Sequence, residues 1–308
     1  MPSTPPPTPN SGPDGTRIFG FTPPVWGIVL TLLHLVAISA GDVISKYFSY
    51  QLPVLMVIWS RYLVHVLVVF AAIRPSRWPT AFESGRLALQ LWRAVAMLLN
   101  TVAFILAIHF LPFADVIAIA FISPFIVIIL ARLFLGEAMN AGRWLACLAG
   151  FGASLFVIKP GFGEVELAIL ALPVLAAGIF AVVAVQTRSL ALVDRSVTTM
   201  LWTGIVGLIA TSIALPFDWV TPTPLQWLGL FVGGFLATGS QFLFIKANAY
   251  QKASVLAPFS YTELIWAVAL GYAVFGDFPD AWTWLGMAII TACGLYVLRR
   301  ETRKPATA

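Results

Sequence analysis

Charge is what this chain has least of. Lys and Arg number 18 and Asp and Glu 13 among 308 residues, so 10% of the chain is charged, where a soluble domain carries about 25%. Such a surface cannot keep a globular protein in water. Cysteine is scarcer still. There are two, Cys147 and Cys293, each inside an apolar run. With no Cys-x-x-Cys and no Cys/His cluster at ligand spacing, a disulfide framework and a zinc site are excluded, and both residues read as small packing groups. The chain also lacks a Gly-x-x-x-x-Gly-Lys-Ser/Thr loop, and with it an ATP-binding motor. No metal and no cofactor are expected.

What fills the space is apolar: 60% of residues are hydrophobic and mean hydropathy is +0.92. The chain therefore reads as an all-α, polytopic membrane protein with the lipid bilayer as its solvent. The net charge of +5 is not a nucleic-acid footprint, because in such a protein Lys and Arg report which side a loop faces. Residues 1–20, beginning "MPSTPPPTPNSGPDG", are too rich in Pro, Ser, Thr and Gly to build a core and read as a disordered tail. They lack the short basic start and apolar core of a signal peptide.

A spanning helix needs about 20 mostly apolar residues. That ruler predicts ten spans, at 25–45, 53–73, 89–110, 114–135, 143–159, 166–187, 197–217, 226–247, 253–275 and 281–299. Short breaks such as "GEAMNAGR" and "FGDFPD" separate them, so consecutive helices should be neighbours. With the N-terminus inside, fourteen of the 18 Lys and Arg residues fall on the inner side. Lys46 and Lys159 fall at outer ends, and Arg61 and Arg93 fall within spans. That bias predicts both termini in the cytoplasm and an even number of spans.

Sliding the chain by 140 residues aligns "FLGEAMNAGRWLA" with "VFGDFPDAWTWLG", and also places Phe104 on Phe244 and Ala107 on Ala247. One offset holding across three helices indicates an internal repeat. Residues 21–160 form the first copy and 161–300 the second, with 301–308 as a cytoplasmic tail. Five helices per copy is an odd number, so the copies insert with opposite orientation. Inverted repeats of this kind build secondary transporters, with the solute site near the bilayer midplane between the halves.

The chain resembles the drug/metabolite transporter superfamily, EamA type. "LARLFLGEAM" is similar to that family's fourth helix closed by Gly-Glu, and "RWLACLAGFGASLFVIKPG" to its fifth. The second copy carries Asp277 where the family usually has Glu. "GDVISKYFSYQLPVLMVIWSRY" and "LAPFSYTELIWAVALGYAVFG" are similar to a subgroup containing bacterial riboflavin and S-adenosylmethionine uptake carriers. The resemblance covers about residues 25 to 300. It implies a permease of the bacterial inner membrane, and it is specific for the family rather than for the solute.

Ionisable residues within spans cost at least about 2.5–3.5 kcal/mol each at the bilayer centre, so they normally face the bundle interior. Here they are His34, Asp42, Arg61, His65, Arg93 and Glu263. Asp42 and Lys46, four apart, share a helix face. With Arg61 they read either as an outer gate or as an ion pair locking the first two helices. Arg93 begins the third span and can either snorkel or meet the solute. Asn100 and Gln241 are cavity lining or interhelical hydrogen bonds. The histidines read first as packing.

The ninth span carries the strongest constellation. Ser260, Glu263 and Trp266 follow at spacing three, with Tyr261 on a neighbouring face, and Pro258 frees a carbonyl. Irregular backbone at membrane depth is tolerated only inside protein or beside a wet cavity. The repeat offset pairs Glu263 with Ser123, next to Pro124, so each copy has a proline near mid-span. Glu263 is also the candidate carrier of a coupled proton. Trp26, Trp78, Trp219, Trp227 and Trp282 read as interfacial belts. Trp59, Trp202 and Trp266 lie deeper, where an aromatic wall would suit a planar ring and where ordinary packing is the alternative.

The leading function is a secondary carrier of a small organic metabolite working by alternating access. Within that class, uptake of an aromatic or heteroaromatic nutrient such as riboflavin leads, followed by S-adenosylmethionine and by export of amino acids or metabolites. An intramembrane enzyme would need a carboxylate dyad or a metal cluster. Asp42 and Glu263 lie in different halves and are expected at different depths, which argues against one. A passive scaffold does not explain the repeat or the buried charges.

Overall fold

In the computed structural model the described residues are 23–136, apart from 75, 77 and 112, and 167–275, with isolated residues of 141–152 and 284–299. Most of the predicted fifth and tenth spans, both tails, Glu137, Asp277 and the two cysteines lie outside them.

Every described element is helical. The first half contributes α1 (Pro23–Ser49), α2 (Val54–Ala72), the short α3 (Trp78–Phe82), α4 (Leu87–Phe110), α5 (Phe113–Ala120) and α6 (Ser123–Leu135). The second half contributes α7 (Leu167–Ala191), α8 (Ser196–Ala214), α9 (Pro224–Tyr250), α10 (Ala253–Leu256), a 3₁₀ helix over Ala257–Thr262, and α11 (Glu263–Phe275). Among the described residues seven helical stretches are long and apolar enough to cross a membrane, and α6 is a shorter apolar helix. Local chemistry sets the ends. Thr223 caps α9 by accepting from the Gln226 N–H, while the Gln226 side chain accepts from the Thr223 N–H, a reciprocal pair that satisfies two otherwise orphaned donors. Gly136 ends α6 at φ +63°, a left-handed conformation that glycine adopts without a Cβ penalty.

Two predicted spans are not continuous helices. The fourth breaks at Phe121 and Ile122 into α5 and α6, and Pro124 sits in the first turn of α6. Proline has no N–H to offer the carbonyl four residues back, and the first turn is the one place where that donor is not needed. The ninth breaks through the 3₁₀ helix, with Pro258 in its first turn.

The helices pack in a closed order. The broken ninth span touches α1, α1 packs on α9, α9 on α2, α2 on α8, α8 on α4, α4 on α7, and α7 on the broken fourth span, which returns to the ninth. Shifting each helix by the repeat offset turns this order into itself. The pair α1–α9 becomes α7–α4, and α9–α2 becomes α4–α8, whereas α2–α8 and the two broken spans map onto themselves. These two self-mapped pairs mark a pseudo-two-fold axis. At the broken pair, Phe121 and Tyr261, which are 140 residues apart, are in direct contact. The Tyr261 hydroxyl donates to the Phe121 carbonyl at 3.2 Å, and the rings meet edge-on at 5.1 Å.

Small residues set the other seams. A Cβ on Gly207 would stand 2.2 Å from the Tyr62 ring, and one on Gly204 2.7 Å from the His65 ring. On α1–α9, a Cβ on Gly41 would meet the Gly233 carbonyl at 3.3 Å. Lipid offers helices no hydrophobic drive to associate, so such close approach supplies the van der Waals contact that does. Large apolar side chains such as Leu133, Phe134 and Ile213 are exposed on the outside of the bundle. Away from the axis, Asp194 in the α7–α8 turn accepts from Ser84 Oγ at 2.5 Å, from the Gly85 N–H at 2.9 Å and from Gln90 Nε2 at 2.7 Å. That carboxylate ties the two halves at the side predicted to face the cytoplasm.

Candidate functional site

The ring of helices encloses a cavity of about 180 Å³, walled by both halves. Its long walls come from α1, α2, α4, α7 and α9. Its remaining wall is made by the two helix breaks, through Phe121, Ser123 and Pro124 on one side and Ser260 and Glu263 on the other. A break leaves backbone groups without their ladder partners, which is tolerable inside protein next to a polar space. The fold thus puts the solute-sized space where the sequence placed its mid-span prolines.

Of the predicted site residues, Glu263, Ser260, Asn100, Gln241, Ser123, Pro124, Asp42 and Arg61 line this cavity. Asp42 accepts from Arg61 Nη1 at 2.6 Å, and the same nitrogen lies 3.0 Å from Ser45 Oγ. Lys46, one turn on, sends its ammonium to the carbonyls of Ile108 and Leu111 at 2.9 and 2.8 Å, where α4 ends. Asn100 donates to the Ala176 carbonyl across the α4–α7 seam at 2.8 Å. Gln241 Nε2 and Ser123 Oγ are buried without a hydrogen-bond partner among the described residues. The Glu263 carboxyl has no hydrogen bond or ion pair among the described residues, and it projects from the first turn of α11.

Six of the predicted residues stand elsewhere. Tyr261 and Pro258 are buried in the seam between the breaks. Arg93 does not snorkel. It is 0% exposed and donates to Thr187 and Thr203 at 2.6 Å each, tying α4 to α7 and α8. Thr203 in turn lines the cavity. Lys46 lies at the helix ends just described. Trp59 donates to Ser212 at 2.9 Å and packs against Trp219 and Trp227, so it joins the tryptophans assigned to a belt. Trp266 is 36% exposed on the outside. Residues three apart eclipse in a 3₁₀ helix, which keeps Ser260 and Glu263 on one side. The α-helix that follows advances 100° per residue, so three residues on Trp266 has turned by about 60°.

Asp42 and Glu263, which belong to different halves, both line this cavity. Helix α1 runs on to Ser49 rather than ending near 45, so Asp42 lies seven residues, roughly 10 Å, inside its end.

Several wall residues were missed, and His34 and His65, read first as packing, are both hydrogen-bonded and line the cavity. The His34 Nδ1 lies 2.6 Å from Ser240 Oγ and 3.1 Å from the Ser240 carbonyl. Its ring meets Phe244 at 5.2 Å, which meets Phe180 at 5.5 Å. This makes a continuous aromatic face along α1, α9 and α7. His65 bonds the Met200 carbonyl at 3.0 Å, and Tyr62 donates to Thr101 at 3.2 Å. A signal for the α1 face was present: Thr31, Leu35, Ile38 and Asp42 follow at spacings of four, three and four, and all line the cavity.

Residues 25–159 and again 167–299 match the EamA-like transporter family. The chain is 31% identical to a riboflavin transporter of Rhizobium johnstonii, over 70% of this chain and 71% of that protein. It is 26% identical to an S-adenosylmethionine uptake transporter of Rickettsia bellii, over 90% and 94%. It is 28% identical to a pseudopaline exporter of Pseudomonas aeruginosa, over 87% and 94%. A solved crystal structure shares the fold with a TM-score of 0.71 at 15% identity, over 90% of this chain and 99% of that one.

Proposed function

Because the chain belongs to the EamA-like transporter family, we propose that it is a secondary uptake carrier for a flat heteroaromatic metabolite in a bacterial inner membrane. The observation that carries this reading is the cavity between the halves, faced by the rings of Phe121, Phe180 and Phe244 beside polar groups that have no partner among the described residues. Ring faces give a planar solute area and quadrupole contacts, and buried donors such as Gln241 Nε2 are costly until something bonds them. Ten spans, two inverted halves at 21–160 and 161–300, and both termini in the cytoplasm complete the architecture. The self-mapping helix order supports it, as does the fourteen-to-two distribution of basic residues.

Alternating access then has a physical basis. Solute contacts come from both halves, so closure on one side and opening on the other can be a rocking of one half against the other about a fixed site. Binding rather than chemistry is the task of these side chains, and an enzymatic role has no residues assigned to it. Riboflavin and S-adenosylmethionine, named for the relatives, both offer flat heterocycles. They differ in charge, and the unpartnered Glu263 is the observation that favours the second. Glu263 also remains the one group proposed to carry a coupled proton.

The test is uptake of labelled riboflavin, S-adenosylmethionine and aromatic amino acids into cells lacking their own carriers for them. Saturable accumulation of one of the first two is expected. Accumulation of none, with the protein in the membrane, would overturn the uptake reading, and enhanced efflux of a preloaded solute would replace it with export.

A further inference from the structure

The charges that face the cavity do not balance. Asp42 and Arg61 neutralise each other at 2.6 Å. His34 and His65 are held by Ser240 and by the Met200 carbonyl, on the α1–α9 and α2–α8 seams. Arg93 stands behind Thr203, fully buried and bonded to two threonines of the opposite half. Its Nη2 has no partner among the described residues, but Arg93 does not line the cavity. What remains among the lining charges is Glu263, which has no hydrogen-bonding or ionic partner among the described residues. An ionised carboxylate in a membrane interior, without a partner, is strongly unfavourable. A loaded cavity therefore needs the charge of Glu263 neutralised, by a proton on the carboxylate or by a positive charge beside it.

We infer that the solute brings that charge: the carrier takes an organic cation in which a flat ring lies close to an ammonium, sulfonium or similar fixed positive group. This rests on the carrier reading and narrows its substrate class. The ring has its wall in the Phe180 and Phe244 faces of α7 and α9 and in Phe121 at the first break. The cationic end has Glu263 at the second break, with Ser260 one 3₁₀ turn before it. Aromatic faces attract cations as well, so the wall and the carboxylate favour the same end of such a molecule. Gln241 and Ser123 are the neutral groups left to bond the rest of the solute. Asp42 already has its counter-ion in Arg61, through Oδ1, which leaves Glu263 as the lining carboxylate without one among the described residues.

Three probes that share a ring and differ in charge test this: benzyltrimethylammonium, benzyl alcohol and benzoate. The full-length carrier is purified in detergent, and the dependence of its Tm on probe concentration gives an apparent Kd for each. Binding of the cation about tenfold or more tighter than the alcohol is expected in the wild type, with benzoate weakest. In Glu263→Gln the preference should fall to about twofold or less, and Glu263→Asp should restore part of it. Equal binding of alcohol and cation in the wild type would overturn the inference, and needs no variant to fold. So would a preference that survives in Glu263→Gln. Uptake separates this from the carrier reading. Cells that accumulate riboflavin but exclude organic cations keep the carrier and refute the charge. A carrier that prefers the cation in detergent yet moves no solute keeps the charge and refutes uptake.

Discussion

Two helix pairs map onto themselves under the internal repeat, and they are built in opposite ways. In the α2–α8 seam both helices are continuous, and Gly204 and Gly207 let the rings of His65 and Tyr62 lie against the opposite backbone. In the other pair both helices are interrupted, and where the breaks face each other the Tyr261 hydroxyl bonds the Phe121 carbonyl and the two rings meet edge-on. The polar groups differ in the same sense. Where the tight seam faces the cavity they are partnered, Arg61 by Asp42, Tyr62 by Thr101 and His65 by the Met200 carbonyl, whereas away from the cavity Ser196 Oγ, Thr198 Oγ1 and Trp202 Nε1 of α8 have no partner among the described residues. On the broken seam Ser123 Oγ is unpartnered, and so is Glu263 among the described residues. Partnered groups hold a structure together, whereas unpartnered buried groups are costly to it and are explained by a ligand they meet. The continuous seam is thus read as the scaffold and the interrupted one as the place where the solute is held.

The largest expected effect comes from breaking the scaffold seam. In Gly207→Leu the new side chain must enter the Tyr62 ring, 2.2 Å from its Cβ position. Overpacking usually costs about 1–3 kcal/mol, and more where nothing can move aside. Loss of the monodisperse folded carrier in size-exclusion chromatography is expected. Gly239→Ala on α9, where nothing lies within 4 Å, should leave the elution profile unchanged. If both variants behave alike, close packing does not define the scaffold.

Next is the charge pair that the scaffold side contributes to the cavity. Asp42→Asn leaves Arg61 without its carboxylate in a largely buried position. Removing one member of a buried pair costs about 3–5 kcal/mol, so a lower Tm and less protein in the membrane are expected. Glu263→Gln should behave in the opposite way. It removes a charge that no residue compensates, so Tm should hold or rise by an amount equivalent to about 1–2 kcal/mol, while solute uptake falls at least tenfold. A fall in Tm for Glu263→Gln matching that of Asp42→Asn would erase the distinction between holding and awaiting groups.

Much of the scaffold was legible in the sequence, and less of the site. Spans announce themselves, because a 20-residue apolar run has few other uses, and α2 and α4 fall within about two residues of their predicted ends. The break at Phe121 was not legible as a break. Its flanking residues are as apolar as the helices around them, and Pro124 alone fits either the start of a helix or a kink. The site was legible where an expensive residue betrayed it, as at Asp42, Arg61 and Glu263. It was hidden where ordinary residues did the lining, as at Phe180 and Phe244, because every face of a spanning helix is apolar and periodicity cannot separate lipid from cavity. Trp266 went astray for a further reason: a constant spacing of three was carried across a point where the helical pitch changes.

The smallest expected effect probes the contact between the two breaks. Tyr261→Phe deletes one hydroxyl and keeps the ring against Phe121. Hydrogen bonds between spanning segments average about 0.6 kcal/mol, so Tm should fall by a degree or two at most. A seam that only holds would register nothing else. If the halves move against each other here, the lost bond has a second consequence, because it links repeat-related residues on the axis and its strength can differ between the two orientations of the carrier. A change in the maximal uptake rate with an unchanged apparent Km for the solute is expected. Unchanged rates together with the small loss of stability would assign Tyr261 to the scaffold after all, and would leave the mobile part of the broken seam to Ser260, Glu263 and the turn at Phe121.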